Sequence, residues 1–339
     1  MIKVGVIGAT GYTGEEIVKL LAKHKDVNLT ILQAVIEKDR PLSDIFPHLK
    51  GSVDLVCTGP DEKKAVENTD LVFLALPHRV SMKVAPAFIK AGKKVIDLSA
   101  DYRIEKATYE KWYGTEHTDS ANIKKAVYGL PELFGDAVKK ARFIANPGCY
   151  PTSVILSAAP LMEKGLADTD YIICDSKTGI TGAGRKPGWN LDNPEVKDNF
   201  KAYKVNNHQH SPEMEEVLGR FTGKKAKVVF VPHLLPVERG ILSTTYMRLK
   251  KAASYEEIVN IYKDKYKGCP FVKIKEAGQF PKLKEAVLTN DFILGLAVDT
   301  GKKLVIAVSA IDNLLKGAAG QAVQNMNIMC GFDEKEGLV

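Results

Sequence analysis

The chain has 339 residues, 45% of them hydrophobic and 26% charged, which is enough for two sizeable cores and unlike the composition of a disordered chain. Its 48 Lys and Arg against 41 Asp and Glu leave a net charge of +7 with no basic block interleaved with aromatics, which argues against nucleic acid binding and leaves an anionic substrate open. Five scattered cysteines without a C-x-x-C pair argue against a disulfide framework and a zinc site. No apolar run is long enough to span a bilayer, so a cytoplasmic protein without a membrane role is expected.

Residues 3–7 read as a buried strand rather than a cleavable signal. The segment Gly8-Ala9-Thr10-Gly11-Tyr12-Thr13-Gly14 follows, then an amphipathic helix from Glu15. Glycines between a strand and a helix permit a tight turn, admit a pyrophosphate to the backbone and let the helix pack close to the sheet, so the seven residues form a candidate dinucleotide cradle. Residues 27–34, 71–76 and 94–99 read as further strands, with helical spacing over 80–90. In an open parallel sheet ligands gather beyond the carboxyl ends of the strands, which draws attention to Pro77-His78-Arg79 and to Ser99-Ala100-Asp101-Tyr102-Arg103. His78 suits a capping or packing role, and Arg103 is either a solvated charge or an anion ligand.

The run Asn146-Pro147-Gly148-Cys149-Tyr150-Pro151-Thr152 carries the strongest chemical signal. Pro151 suits the first turn of a helix, where its missing N–H has no partner to lose, and apolar residues continue at helical spacing. Cys149 is thereby placed at a helix N-terminus. The amides there favour a thiolate and can hold an oxyanion on a carbonyl that the sulfur attacks.

Beyond it the pattern changes. Residues 171–177, 227–231, 242–249, 292–298 and 304–309 read as strands, with a clear helix over 255–266 among them, which suggests an antiparallel sheet domain. The loop from Lys177 through Gly182 to Arg185 and Lys186 is glycine-rich and cationic, a candidate grip for an anionic substrate. His208 and His210 stand just before a helix with Pro212 near its start, and one of them is the candidate acid/base partner of a cysteine nucleophile. A final helix rich in small residues is expected from Asn313 on. The expected fold is α/β: a Rossmann-like parallel-sheet domain over 1–148, completed by 313–339, and an α+β domain with a mainly antiparallel sheet over 149–312, for catalysis and oligomerisation.

These segments resemble the N-acetyl-gamma-glutamyl-phosphate reductases of arginine biosynthesis, within the aspartate-semialdehyde dehydrogenase-like superfamily. The resemblance covers nearly the whole chain. It rests on the glycine cradle, Phe46-Pro47-His48-Leu49, Ala75-Leu76-Pro77-His78, residues 97–103, Tyr128-Gly129-Leu130-Pro131-Glu132, residues 146–152, Lys177-Thr178-Gly179, residues 208–213 and residues 312–322. It implies attack of Cys149 on an acyl phosphate, loss of phosphate, hydride reduction of the thioester, and release of an aldehyde. It implies His208 or His210 as base, and Gly8, Ala9, Thr10, Gly11, Tyr12, Thr13, Gly14, Pro77 and Asn313 around NADP. Ser99, Arg103, Asn146, Lys177, Gly182 and Arg185 are the implied substrate contacts, with no metal and with a homo-oligomer, dimer or tetramer, as the assembly. Many members carry Ser-Arg after the second strand to meet the 2′-phosphate of NADP; Ala34-Val35 stand there here, so Lys38 and Arg40 are the candidates for that contact, and Glu37 keeps NAD in view. The alternatives are the homologous lysine-pathway reductase, which takes its substrate on a small acidic protein, aspartate-semialdehyde dehydrogenase, and a non-catalytic nucleotide sensor; Cys149 in its helix-start setting speaks against the last.

Overall fold

A computed structural model describes residues 1–339, which divide into one unit of Met1–Pro147 with Ala318–Val339 and a second of Gly148–Gly317. In the first, short apolar runs form β1 (Ile2–Ile7), β2 (Val27–Gln33), β3 (Arg40–Pro41), β4 (Val56–Thr58), β5 (Leu71–Leu74), β6 (Lys94–Asp97), β7 (Val127–Tyr128) and β8 (Phe143–Ala145). They make one sheet in the order β3-β4-β2-β1-β5-β6-β8-β7, parallel except for β3 against β4. Alternation along each strand feeds two cores. Val4, Val6, Leu71, Phe73, Ile96 and Ile144 pack on one face against Ile17 and Leu21 of α1 (Tyr12–Leu21) and against Val323 and Met326 of the C-terminal helix Ala319–Cys330. On the other face Ile7, Val72, Leu74, Val95 and Phe143 meet Met82, Ala85 and Phe88 of α2 (Ser81–Lys90). Helices on both faces of a mostly parallel sheet are the doubly wound arrangement, which places the ends of β1, β5, β6 and β8 along one edge. Helices α3 (Lys106–Tyr113) and α4 (Pro131–Lys140) complete this unit.

The second unit opens with α5 (Cys149–Glu163), whose residues from Tyr150 to Met162 are all buried. Its sheet contains β9 (Ala167–Thr178), β10 (Lys201–Ala202), β11 (Val228–Leu234), β12 (Ile241–Leu249), β13 (Val272–Ile274), β14 (Phe292–Asp299) and β15 (Leu304–Ile311), in the order β10-β11-β9-β12-β15-β14-β13. Pairing is antiparallel except for β9 with β11 and β13 with β14. Helices α6 (His210–Thr222) and α7 (Tyr255–Lys265) pack against α5, with the Tyr262 hydroxyl donating to the Ser157 carbonyl at 2.6 Å. Alternation along β12 shows one face of the sheet buried under α5, while the other carries only the short helix Leu283–Ala286, whose Ala286 packs with Ile293, Ala310 and Leu242. That outer face also presents Tyr171, Ile173, Val229 and Tyr246, with Tyr171 60% exposed.

The final helix starts later than the sequence pattern suggests. Residues 313–317 form turns instead, because the Asp312 carboxylate takes the amides of Leu314 and Leu315 at 2.8 and 3.0 Å, and the Gly317 amide donates to the Asp312 carbonyl at 2.9 Å. Ala318 then adopts φ −158°, ψ −89°, outside the helical region, and the helix runs from Ala319 to Cys330. The chain accordingly returns to the first unit at residue 318 rather than 313.

Candidate active site

In the first unit the glycine cradle forms at the end of β1. Gly8 has φ +92°, and a Cβ there would lie 2.1 Å from the Ala75 carbonyl oxygen; a Cβ on Gly14 would lie equally close to the Gly8 oxygen. Both glycines are therefore required by the packing of strand, turn and helix. Gly11 differs. A Cβ there would meet nothing nearer than 3.6 Å, so intrachain crowding does not demand glycine at that position, and the bare backbone at the N-cap of α1 suits a pyrophosphate that must approach it closely. The Gln33 carbonyl takes the amides of Gly8 and Ala9, which fixes the turn.

After β2 the chain exposes Glu37, Lys38, Asp39 and Arg40. The Asp39 carboxylate accepts the Gly59 amide at 2.9 Å and shapes that loop, which leaves Lys38 and Arg40 as its two exposed cations. The loop after β5 carries Pro77, His78 and Arg79. Arg79 holds φ +74°, an uncommon conformation for a side chain with a Cβ, and Asp101 secures it: its carboxylate takes the amides of Arg79 and Met82 at 2.9 and 3.0 Å and the Tyr109 hydroxyl at 2.7 Å. His78 Nδ1 accepts the Ala100 amide, so the neutral ring carries its proton on Nε2.

The expected substrate residues of this unit are buried. Arg103, 4% exposed, donates to the carbonyls of Leu98 and Asn146, both at 2.7 Å. Ser99 donates to Asp97, and Asn146 donates to the Ala318 carbonyl while accepting from Asn325. Together they lock the ends of β6 and β8, which sets the departure of the chain towards Gly148.

In the second unit Cys149 is the first residue of α5, and Gly148 is its N-cap. The buried Glu213 carboxylate, in the first turn of α6, accepts the Gly148 amide at 2.8 Å, and α6 begins at His210. One carboxylate thus joins the start of the nucleophile's helix to the start of the helix that bears a histidine. The amides of the following residues remain at the positive end of a long buried helix, where they favour negative charge on sulfur and on an adjacent oxygen. On another side Gly317 presses on the cysteine: a Cβ there would lie 2.8 Å from Cys149 Cβ and 2.6 Å from the Asn313 carbonyl.

Tyr150 ties the histidines to this centre. Its ring meets those of His208 and His210 edge-on at 5.6 and 5.9 Å, and the two imidazoles stand 4.7 Å apart. Its hydroxyl lies 2.9 Å from that of Tyr203 and is also hydrogen-bonded to Thr178. Burial, and then negative charge on Cys149, push the Tyr203 phenol up to about 12; burial, Tyr203 and Cys149 push Tyr150 up as well. Both stay neutral. His208 Nδ1 accepts the His210 amide at 3.1 Å, so neutral His208 is an Nε2–H donor.

The loop after β9 does not behave uniformly. Thr178 lies on the buried face beside Tyr150, whereas Lys177 lies on the opposite face, its ammonium 2.7 Å from Asp175, and His233 stands 3.2 Å from the same carboxylate. Gly182 and Arg185 sit on the exposed stretch beyond. Asn313 braces that stretch, donating to Thr181 Oγ1 at 2.9 Å and accepting the Gly240 amide at 2.6 Å. Glu213, Tyr203, Gly317 and Asp101 act here without having been assigned roles from the sequence; only Glu213, three residues after a histidine in a predicted first turn, carried a usable signal. No group of His, Cys, Asp and Glu has metal-ligand geometry, and no helix is long and apolar enough to cross a membrane.

Comparison with known proteins matches residues 3–141 to the family described as semialdehyde dehydrogenase, NAD binding domain, and residues 149–313 to semialdehyde dehydrogenase, dimerisation domain. N-acetyl-gamma-glutamyl-phosphate reductases of Pelotomaculum thermopropionicum and Geobacter metallireducens are each 48% identical to the chain, over 99% and 100% of it and 97% and 98% of their own lengths. In fold it is similar to aspartate semialdehyde dehydrogenase II of Vibrio cholerae, with a TM-score of 0.73 at 15% identity over 98% of both chains. The Candida albicans aspartate semialdehyde dehydrogenase solved with NADP gives 0.72 at 18%, over 97% of this chain and 98% of that one.

Proposed function

The chain belongs to the N-acetyl-gamma-glutamyl-phosphate reductases within the semialdehyde dehydrogenase family, and from that premise we propose the residue roles by which it reduces N-acetyl-gamma-glutamyl phosphate to the semialdehyde and phosphate in arginine biosynthesis. Cys149 attacks the acyl carbon as thiolate, with the first amides of α5 holding the oxyanion, and phosphate leaves to give a thioester. The thioester on Cys149 would take the hydride that NADPH supplies when bound, which leaves a hemithioacetal on the sulfur. His210 protonates the oxygen of that adduct, or removes its proton on collapse, and the aldehyde departs as Cys149 is regained. His208 orients the acyl oxygen as a fixed Nε2–H donor. The observation that carries these roles is the Glu213 carboxylate, which ties Gly148, before the cysteine, into the turn that begins with His210.

The cradle from Gly8 to Gly14 would hold the pyrophosphate of NADP, Pro77 would contribute to the nicotinamide pocket, and Lys38 and Arg40 would pair with the 2′-phosphate. Arg185 and the backbone near Gly182 grip the anionic substrate, with Asn313 fixing that loop. Ser99, Arg103 and Asn146 act at one remove by holding strand ends, as their burial and their carbonyl and carboxylate partners support. Lys177 acts through its pair with Asp175 rather than at the sulfur. The part of the second sheet's outer face that presents Tyr171, Ile173 and Tyr246 is the surface for a second copy in a cytoplasmic homo-oligomer, in keeping with the matched dimerisation domain.

The test is oxidation of N-acetylglutamate semialdehyde, followed as reduced nicotinamide formed. Turnover that requires phosphate, prefers NADP and vanishes in Cys149→Ser is expected. Turnover independent of phosphate, or retained in Cys149→Ser, overturns the assignment.

A further inference from the structure

Behind the nucleophile lies a run of hydroxyl and thiol groups that the chemistry above does not use. Strand alternation puts Cys174 and Ser176 of β9 and Ser243 and Thr245 of β12 on the face beneath α5, and the antiparallel register pairs Ser243 with Ser176 and Thr245 with Cys174. From the helix comes Ser153, one turn after Cys149. All five side chains are fully buried. Thr245 Oγ1 lies 3.6 Å from Cys174 Sγ, Cys174 Sγ 3.3 Å from Ser176 Oγ, Ser176 Oγ 2.7 Å from Ser243 Oγ, and Ser243 Oγ 2.8 Å from Ser153 Oγ. Ser153 Oγ ends the run 2.9 Å from the carbonyl oxygen of Tyr150.

The direction of every link is fixed by counting hydrogens. A carbonyl only accepts, so Ser153 spends its single hydrogen on Tyr150 and must accept from Ser243. Ser243 then accepts from Ser176, Ser176 from the Cys174 thiol, and Cys174 from Thr245. Burial pushes the Cys174 thiol up to about 11, so its hydrogen is present at neutral pH. All the donors therefore point one way, from the sheet to the first turn of α5, in a medium where aligned hydrogen bonds reinforce one another.

We propose that Thr245, Cys174, Ser176, Ser243 and Ser153 form a positioning network that fixes the rotation of the first turn of α5, and with it the placement of Cys149 Sγ. Apolar contacts, which the buried Val154, Ile155, Leu156 and Leu161 of α5 supply, are non-directional and tolerate small rotations of a helix about its axis. Hydrogen bonds of defined direction do not. A turn pinned at the Tyr150 carbonyl holds the preceding residue at a set angle to the amides that stabilise its charge. The proposal rests on Cys149 being the nucleophile.

The experiment uses the full-length enzyme with Ser243→Ala, which cuts the link between strand and helix by removing one buried oxygen. The expected result is a kcat lowered about tenfold with KM within about twofold, and a profile of Cys149 alkylation by iodoacetamide against pH displaced upward by half a unit or more, because a turned cysteine loses part of its amide stabilisation. Ser243→Cys, which keeps a hydrogen to give, should recover most of the kcat. Thr245→Val, which removes the first donor at the end farthest from α5, should lower kcat in the same direction but by less than Ser243→Ala. If Ser243→Ala fails to fold, Ser176→Ala cuts the adjacent link and carries the same expectations. An unchanged kcat and alkylation profile in a folded alanine variant overturns the network, as does a loss of activity that follows thermal stability while the profile stays in place. Cys149→Ser, assayed alongside, separates the two ideas: if it is inactive while Ser243→Ala behaves as the parent, only the network fails, and if it is active the nucleophile itself is misassigned.

Discussion

Gly317 has almost no freedom to change. A methyl group there would press on Cys149 Cβ and on the Asn313 carbonyl at distances no real contact tolerates, and the backbone on one side cannot swing aside as a flexible side chain would. Gly317→Ala should therefore displace the sulfur while leaving the rest of the fold in place. A misplacement on the ångström scale at a reacting atom costs roughly 10²-fold, so kcat should fall by about that factor with a far-ultraviolet spectrum like the parent's; parental kcat would show that the contact yields. The histidines should separate as sharply. His210→Asn should lower kcat by roughly 10²–10⁴, the range for a positioned acid/base, whereas His208→Asn should act mainly on KM, since its Nδ1 is committed to the His210 amide. Equal effects from both would return the choice between them to open ground.

At the scale of elements, the chain announced its strands and helices but not what several polar residues were for. The runs at 3–7, 71–76 and 94–99 read as parallel strands because burial on both faces leaves an unbroken apolar signal, and the cradle glycines stood at a spacing with a physical reason. Cys149 at a helix start was likewise legible from Pro151 and the apolar residues after it. Ser99, Arg103 and Asn146 are substrate contacts by the family resemblance, with Arg103 open between a solvated charge and an anion ligand on its position alone. The structure buries them, and which carbonyl an arginine will meet depends on strands distant in sequence. The same reason hid Gly317, whose neighbour Cys149 lies far away in the chain. Arg103 gives a direct check at this scale: it reaches Asn146 from Nε and Leu98 from Nη2, and lysine, whose three donors sit on a single nitrogen, lacks that planar fork. Arg103→Lys should lower unfolding free energy by about 1–3 kcal/mol, the cost of a buried acceptor left unpaired, measured by urea denaturation. No change in stability would mean that the arginine is not bracing the strand ends.

For the molecule as a whole, Asp97 links the cofactor unit to pH. Burial, with a smaller contribution from Asp101, pushes its carboxyl up to about 6, against an ordinary value of 3.8, and hydrogen bonds from serine side chains oppose the shift. Between those two values the folded state binds more protons than the unfolded one, so stability must fall as pH rises through that window and level off above it. Two pH units correspond to roughly 3 kcal/mol. Asp97→Asn should flatten that limb in urea unfolding from pH 4 to 7; an unchanged slope would place the titration elsewhere. Coenzyme choice is set at the same scale, by an exposed loop with mixed charge. Lys38→Glu together with Arg40→Glu should lower kcat/KM for NADPH at least tenfold while sparing NADH, and equal losses with both would leave the 2′-phosphate contact unassigned.

The most direct measurement is intact and peptide mass spectrometry of the enzyme mixed with N-acetyl-gamma-glutamyl phosphate in the absence of nicotinamide. One N-acetylglutamyl group attached to the peptide bearing Cys149, released when NADPH is added and absent in Cys149→Ser, is the expected result. Turnover of the same preparation with no acyl group on Cys149 at any time, or an acyl group on another residue, would contradict it.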